Sequence, residues 1–228
     1  MSRPSVVWFD FGGVLSPPLD DLFRSYEQRA GVTPEQLRTA FADVSDEVGL
    51  PPLAPVELAL MTEREWGGRL RAALARRHPG IDLSRARLEE FGAQWFDGHG
   101  ANPVMAAAWH TLREHGITTG VLSNNVLEWR THWMRMMAPL DGIELLVDSC
   151  EVGCRKPDPE IYRLATRRAG VDPGECLLID DVGANIDAAR AQGWQAVHFT
   201  DDERTLAELA RATGVTFLSP AAASSAPR

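Results

Sequence analysis

Residues 5–15, Ser-Val-Val-Trp-Phe-Asp-Phe-Gly-Gly-Val-Leu, constrain the fold more than any other stretch of the chain. Val6, Val7, Trp8 and Phe9 form a short apolar run of β-prone residues, the pattern of a strand buried on both faces. The run ends in Asp10, followed by Gly12 and Gly13, which permit a tight turn and close backbone approach to a ligand. In open α/β sheets, ligands sit at the carboxyl ends of parallel strands, where Asp10 falls. Taken alone, Asp10 reads equally well as a cap of the following turn.

Three later apolar runs end in the same manner. Ile117 to Leu122 stops at Ser123-Asn124-Asn125, and Leu145 to Val147 precedes a loop carrying Arg155-Lys156-Pro157-Asp158-Pro159. Cys176 to Ile179 stops at Asp180-Asp181. If these strands are parallel neighbours, Asp10, Ser123, Lys156 and Asp181 converge on one sheet edge. Singly, Ser123 reads as a helix N-cap, Lys156 as a surface lysine and Asp181 as a turn residue. Together they point to a catalytic constellation.

The set resembles the haloacid dehalogenase-like (HAD) hydrolases, whose four motifs are a nucleophilic Asp, a Ser/Thr, a Lys and an acidic metal site. The similarity covers residues 5–16 and 100–200. Gly153 through Tyr162, and Leu177 through Asp181 on to Asn185 and Arg190, carry the third and fourth motifs. The resemblance implies an α/β fold, a Rossmann-like parallel-sheet core with helices on both faces and an inserted all-helical cap. The expected boundaries are 1–16 and 99–218 for the core and 17–98 for the cap. The tail, 219–228, is Ala, Ser and Pro with a final Arg, and is expected to be disordered.

The resemblance also implies roles. Asp10 is the expected nucleophile of a Mg2+-dependent phosphatase that hydrolyses a small phosphorylated metabolite through an aspartyl-phosphate. Asp10, the Gly12 carbonyl and Asp181 are the expected metal ligands. Ser123, the amides around Asn124, and Lys156 are the expected phosphate contacts, with Asp180 and Asn185 as supporting groups. Two other readings stand beside this one: a 2-haloacid dehalogenase, which uses an Asp and a Lys without metal, and a catalytically idle binding module. The paired Asp180-Asp181 favours a metal site. Gly12 is a departure, because many phosphatases of the family carry a second Asp there that protonates the leaving group. Its loss predicts a preference for leaving groups needing little protonation, such as anomeric sugar, acyl or aryl phosphates.

Composition removes other classes. With 23 basic and 32 acidic residues the formal charge is -9, and no basic stripe suggests nucleic acid. No apolar run reaches the length of a membrane span. Cys150, Cys154 and Cys176 form no Cys-x-x-Cys pair and are read as free thiols of a reducing compartment. With no room for a signal peptide before the first strand, the expected setting is cytoplasmic, and the expected state a monomer or homodimer.

Between residues 21 and 98 the pattern is helical. Thr33-Pro34-Glu35-Gln36 and Thr62-Glu63-Arg64-Glu65 read as capping boxes that open helices to about Val44 and Arg77. A further helical stretch is expected over Leu83–Phe96. Gly98 to Pro103 reads as the return connection, with His99 solvated. Val126–Met137 is expected as one helix, and Thr216-Phe217-Leu218 as a short edge strand.

Overall fold

The structure, a computed structural model, describes residues 3–140 and 142–218. Five strands, β1 (Val6–Phe9), β2 (Thr118–Ser123), β3 (Leu145–Asp148), β4 (Cys176–Asp180) and β5 (Gln195–His198), form one parallel sheet in the order β3-β2-β1-β4-β5. The chain runs outward from β1 to β3 and then crosses back to the other side of β1. The switch point therefore lies between β1 and β4, where open α/β sheets bind ligands.

Strand β1 shows how alternation builds the two helical layers. Val6 and Trp8 face a core shared with Ile161, Tyr162, Ile186 and Trp194. Val7 and Phe9 face the larger core, with Trp109, Leu112 and Leu209. A Cβ at Gly120 on the neighbouring strand would lie 2.8 Å from the Trp8 ring and 2.9 Å from Leu145, so glycine there makes room for the indole.

The helices are α1 (Leu19–Ala30), α2 (Pro34–Asp46), α3 (Ala54–Glu57), α4 (Glu63–Arg77), α5 (Phe91–Trp95), α6 (Pro103–Glu114), α7 (Arg130–Met136), α8 (Ser149–Val152), α9 (Pro159–Ala169), α10 (Gly183–Ala191) and α11 (Asp202–Thr213). Helices α9 and α10 pack on one face of the sheet, α6 and α11 on the other. Helices α1 to α5 are inserted between β1 and β2. The outgoing and returning chain touch where Asn102 N–H donates to the Leu15 carbonyl, 2.8 Å. Asn102 also caps α6 by accepting from Val104 and Met105 N–H.

Local expectations hold unevenly. Thr33 and Gln36 form a reciprocal capping box on α2. Thr62 caps α4 through Glu65 N–H, but Glu65 does not reach back; its carboxylate pairs with Arg69 at 2.9 Å instead. Leu83–Phe96 is not one helix. The backbone of 83–87 is claimed by side chains: Arg71 donates to the Leu83 and Ala86 carbonyls, and Gln94 donates to the Arg85 carbonyl and accepts from Arg87 N–H. Only Leu88–Glu90, as a 3-10 turn, and α5 are helical there. Val126–Met137 likewise divides into a 3-10 turn, Leu127–Trp129, and α7. Thr216-Phe217-Leu218 pairs with no strand, and Leu218 is exposed, so the expected edge strand is absent. The tail 219–228 lies outside the described residues. Among the described residues, no helix is long and apolar enough to cross a membrane.

Candidate active site

Parallel register carries three strand ends to one place. Asp10 N–H donates to the Ile179 carbonyl at 2.9 Å, which sets the end of β1 beside the end of β4. Lys156 arrives from the loop after α8 and is 1% exposed. Its Nζ lies 2.8 Å from Asp10 Oδ1 and 2.5 Å from Asp180 Oδ2. The loop is fixed by Asn124, whose side-chain amide accepts from Lys156 N–H (2.8 Å) and donates to the Lys156 carbonyl (2.9 Å). The Asn124 side chain thus positions Lys156 through both its oxygen and its nitrogen.

Asp180 is held from every side. It accepts from the Asn185 amide at 2.9 and 3.1 Å and from Val182 N–H at 2.9 Å, and Tyr162 Oη in turn donates to the Asn185 carbonyl. Asp181 is less buried, and one carboxylate oxygen from each of Asp10, Asp180 and Asp181 falls within 4.8 Å of the others. Gly13 is required for this approach: its φ is +77°, and a Cβ there would lie 2.6 Å from Asp181 Oδ2.

Electrostatics follow from one ammonium among three carboxylates. Burial, then the charges of Asp180 and Asp181, outweigh Lys156 and push Asp10 up to about 7. Burial and Asp180 push Asp181 up to about 6. Burial works against the Lys156 charge, but Asp10 and Asp180 overcome it and hold its pKa above the ordinary lysine value. The site is short of positive charge. Hard carboxylate oxygens at this spacing fit a divalent cation of the Mg2+ type.

The remaining expected residues are placed less uniformly. Ser123 ends β2, buried, with only a long 3.4 Å contact from its Oγ to the Asn124 carbonyl. It is not among the residues lining the cavity described below, although Asn124 is. Gly12 lines that cavity in an extended conformation, φ -67° and ψ 121°. His99 is absent from the lining.

A cavity of about 350 Å³ opens from Asp10 and Lys156 toward the inserted helices. Its apolar walls are Phe23, Phe41, Phe91, Trp95 and Trp129, with Leu19 beside Gly12 and Gly13. Its polar rim carries a pair that the sequence gave no reason to expect: Glu57 of α3 and Arg155, 2.7 Å apart, an ionic contact without straight hydrogen-bond geometry. Arg155 was visible as the neighbour of Lys156, whereas Glu57 lies in a proline-rich break with no signal. Ser149 Oγ also donates to the Glu57 carbonyl at 2.6 Å, so the insertion is tied to the core on both sides of the pair.

Comparison with known proteins agrees with this geometry. Residues 4–193 match the family model for haloacid dehalogenase-like hydrolases. Bifunctional epoxide hydrolase 2 of Sus scrofa is 35% identical over 120 residues, covering 51% of this chain and 21% of that protein. A phosphatase of Mycobacterium tuberculosis is 30% identical over 154 residues, 59% of this chain and 70% of that one. An L-2-haloacid dehalogenase structure superposes with a TM-score of 0.63 at 20% identity, covering 90% of this chain and 87% of that one, which speaks to the fold alone. The chain spans less than half the length of the first curated relatives it matches. With the family model spanning both the sheet and the residues gathered at its edge, the chain belongs to the haloacid dehalogenase-like hydrolases.

Proposed function

We propose that the protein is a Mg2+-dependent phosphatase of a small phosphorylated compound, with Asp10 as nucleophile. The observation that carries the reading is charge balance: Asp10, Asp180 and Asp181 converge on a single ammonium, Lys156. Three carboxylates against one cation disfavour the carboxylate of a 2-haloacid, whereas a divalent ion with a phosphate suits them. Asp10, Asp181 and the Gly12 carbonyl would hold the ion, with Asp180 and Asn185 behind them. When bound it supplies positive charge for the phosphoryl oxygens.

The chain's own groups do the rest. Lys156 and Phe11 N–H both contact Asp10 Oδ1, leaving Oδ2 free of those contacts to attack phosphorus. Lys156 and the amides around Asn124 hold the transferring oxygens, and the Ser123 hydroxyl, off the cavity lining, joins them by turning from its long contact with the Asn124 carbonyl. Residues 17–98 act as a cap that shields the site from bulk water. The three free cysteines suit a reducing, cytoplasmic setting.

The test is phosphate release from p-nitrophenyl phosphate with and without Mg2+, alongside halide release from 2-chloropropionate without metal. Phosphate release that requires Mg2+ and is weakened by Asp181→Ala supports the reading. Metal-independent halide release with no phosphatase activity would sink it.

A further inference from the structure

We infer that the substrates are aryl phosphate monoesters, with the phosphate at Asp10 and Lys156 and the aromatic leaving group in the cavity walled by the inserted helices. This inference rests on the phosphatase reading and narrows it. Two independent observations support it, one about the walls and one about the leaving-group oxygen.

The walls beyond the phosphate position are aromatic and aliphatic, with Phe23, Phe41, Phe91, Trp95 and Trp129 around a volume of about 350 Å³. That size lies within the range of about 300–1,000 Å³ found for small-molecule sites. Most of the polar atoms of the uncharged side chains on the lining already have partners. Ser16 Oγ accepts from Gly13 N–H and donates to the Pro17 carbonyl. Asn124 is spent on the Lys156 backbone, the Asn125 carbonyl oxygen on Val126 N–H, and the Asn185 amide on Asp180. Glu57 and Arg155 pair ionically at one side, where Glu57 Oε2 and Arg155 Nε make no hydrogen bond. Sugar hydroxyls set against the aromatic walls would lose water and gain few partners, so the anomeric sugar phosphates allowed by the sequence are disfavoured. An aromatic ring loses nothing of the kind, and gains edge and face contacts with the walls.

The second observation concerns protonation. At Gly12, where a proton donor is expected in relatives, a Cβ would meet only Leu19 Cδ2 at 3.9 Å. The space is open, and no other side chain has moved in. Besides Asp10 and Asp181, the only carboxylate on the lining is Glu57, and Arg155 holds it. With Lys156 also committed to Asp10 and Asp180, the leaving oxygen departs largely as its anion. A phenolate, whose conjugate acid has a pKa near 10, does so readily, while an alkoxide does not.

The step balances without further reactants. Asp10 Oδ2 forms a bond to phosphorus as the phosphorus–aryl oxygen bond breaks, and the phenolate leaves with that electron pair and takes a proton from solvent. Water then attacks the aspartyl-phosphate, releasing inorganic phosphate, restoring the Asp10 carboxylate and giving its proton to solvent.

The experiment is a panel of phenyl, 1-naphthyl and hexyl phosphates and glucose 1-phosphate at fixed pH and saturating Mg2+. Phenyl and 1-naphthyl phosphates should exceed hexyl phosphate and glucose 1-phosphate in kcat/KM by about 10²-fold or more. Two variants separate enzyme preference from intrinsic leaving-group reactivity. Gly12→Asp has room for its Cβ and should shrink the aryl advantage at least about tenfold by raising hexyl phosphate turnover. Leu19→Gln, at the half-exposed start of α1, should raise KM for 1-naphthyl phosphate several-fold while inhibition by inorganic phosphate is unchanged. Glucose 1-phosphate or hexyl phosphate matching the aryl esters, with Mg2+ and Asp10 still required, would overturn the aryl inference and leave the phosphatase reading standing. An unchanged KM for 1-naphthyl phosphate in Leu19→Gln would overturn the assignment of the ring to this cavity. No turnover of any ester would overturn the phosphatase reading itself, and this inference with it.

Discussion

The two ends of the cavity are built on opposite principles. At the sheet edge, Asp10, Asp180 and Asp181 from the ends of β1 and β4 crowd together, Lys156 from the loop after α8 binds Asp10 and Asp180, and Val182 and Asn185 hold Asp180 further. At the far end, the inserted helices and Trp129 offer rings: Phe91 stacks on Trp129 at 5.6 Å, Trp66 on Phe41 at 5.2 Å, and Phe91 on Trp95 at 5.3 Å. On the proposed reading, charge geometry serves the chemistry at one end, and shape with exclusion of water serves selection at the other. The two should respond differently to mutation. The edge is expected to lose activity without losing the fold, the wall to lose stability first.

The largest expected effect is at the edge. Asp10→Asn removes the proposed nucleophile while keeping its shape, so kcat should fall by about 10⁵-fold or more. Removing one of three clustered negative charges should leave the thermal midpoint of the metal-free protein equal or higher. Steady-state kinetics and a melting curve check both halves. Substantial residual activity would mean that Asp10 is not the nucleophile.

Next is Lys156→Met, which breaks the edge rather than silencing it. Removing the only ammonium strands Asp10 and Asp180 in the interior, and stripping one partner from a buried charge cluster typically costs about 3–5 kcal/mol. Urea unfolding should show that loss, with Mg2+ restoring part of it by replacing the missing charge. A loss below about 1 kcal/mol would mean that the carboxylates are better solvated than their burial implies.

Gly92→Ala tests the wall. A Cβ at Gly92 would come within 2.3 Å of the Trp129 ring, on the seam between the inserted helices and the core. Overpacking at such a contact costs about 1–3 kcal/mol, although alanine is the better helix former. Chemical denaturation measures it. A stabilised variant would mean that this seam yields freely.

The contrast also explains which parts the sequence exposed. Strand ends followed by Asp, Ser or Gly stand out because periodicity breaks there, which singles out Asp10, Ser123, Lys156 and Asp181; the structure pairs Lys156 with Asp10 and with Asp180 rather than Asp181, and leaves Ser123 off the cavity lining. The wall has no comparable signal. Phe23, Phe41, Phe91 and Trp129 come from separated helices, and each reads as ordinary core. The strap over 83–87 reads as helix in the sequence because its backbone partners, Arg71 and Gln94, lie 12 residues before it and 7 after it, beyond any local pattern. Glu57 was invisible for the same reason, since its partner Arg155 is distant in the chain.

The smallest effect, and the one that sharpens the comparison most, is Glu63→Gln. Glu63 is a buried carboxylate on the wall side, whose Oε1 accepts from Trp129 Nε1–H and from Gly92 N–H, each at 2.7 Å. Burial pushes its pKa up; the two donors oppose the shift, while Glu128 adds to it. A carboxyl with a raised folded-state pKa contributes stability that is fully present below its unfolded value and lost as pH rises through the folded one. Wild type should therefore lose stability from this group on going from acid to neutral pH. Glutamine keeps the acceptor oxygen and cannot ionise, so the variant escapes that loss. The difference in thermal midpoint, variant minus wild type, should be near zero or negative at pH 4 and become more positive toward pH 8, at a scale of about 1 kcal/mol or less. Glu63→Leu, which leaves both N–H groups without a partner, should instead cost about 1–3 kcal/mol for each stranded donor at every pH. If the Gln variant tracked wild type at a constant offset across that range, the wall would hold its carboxylate as comfortably as water does. The division between a charged edge and a water-excluding wall would then fail at the seam where the two halves meet.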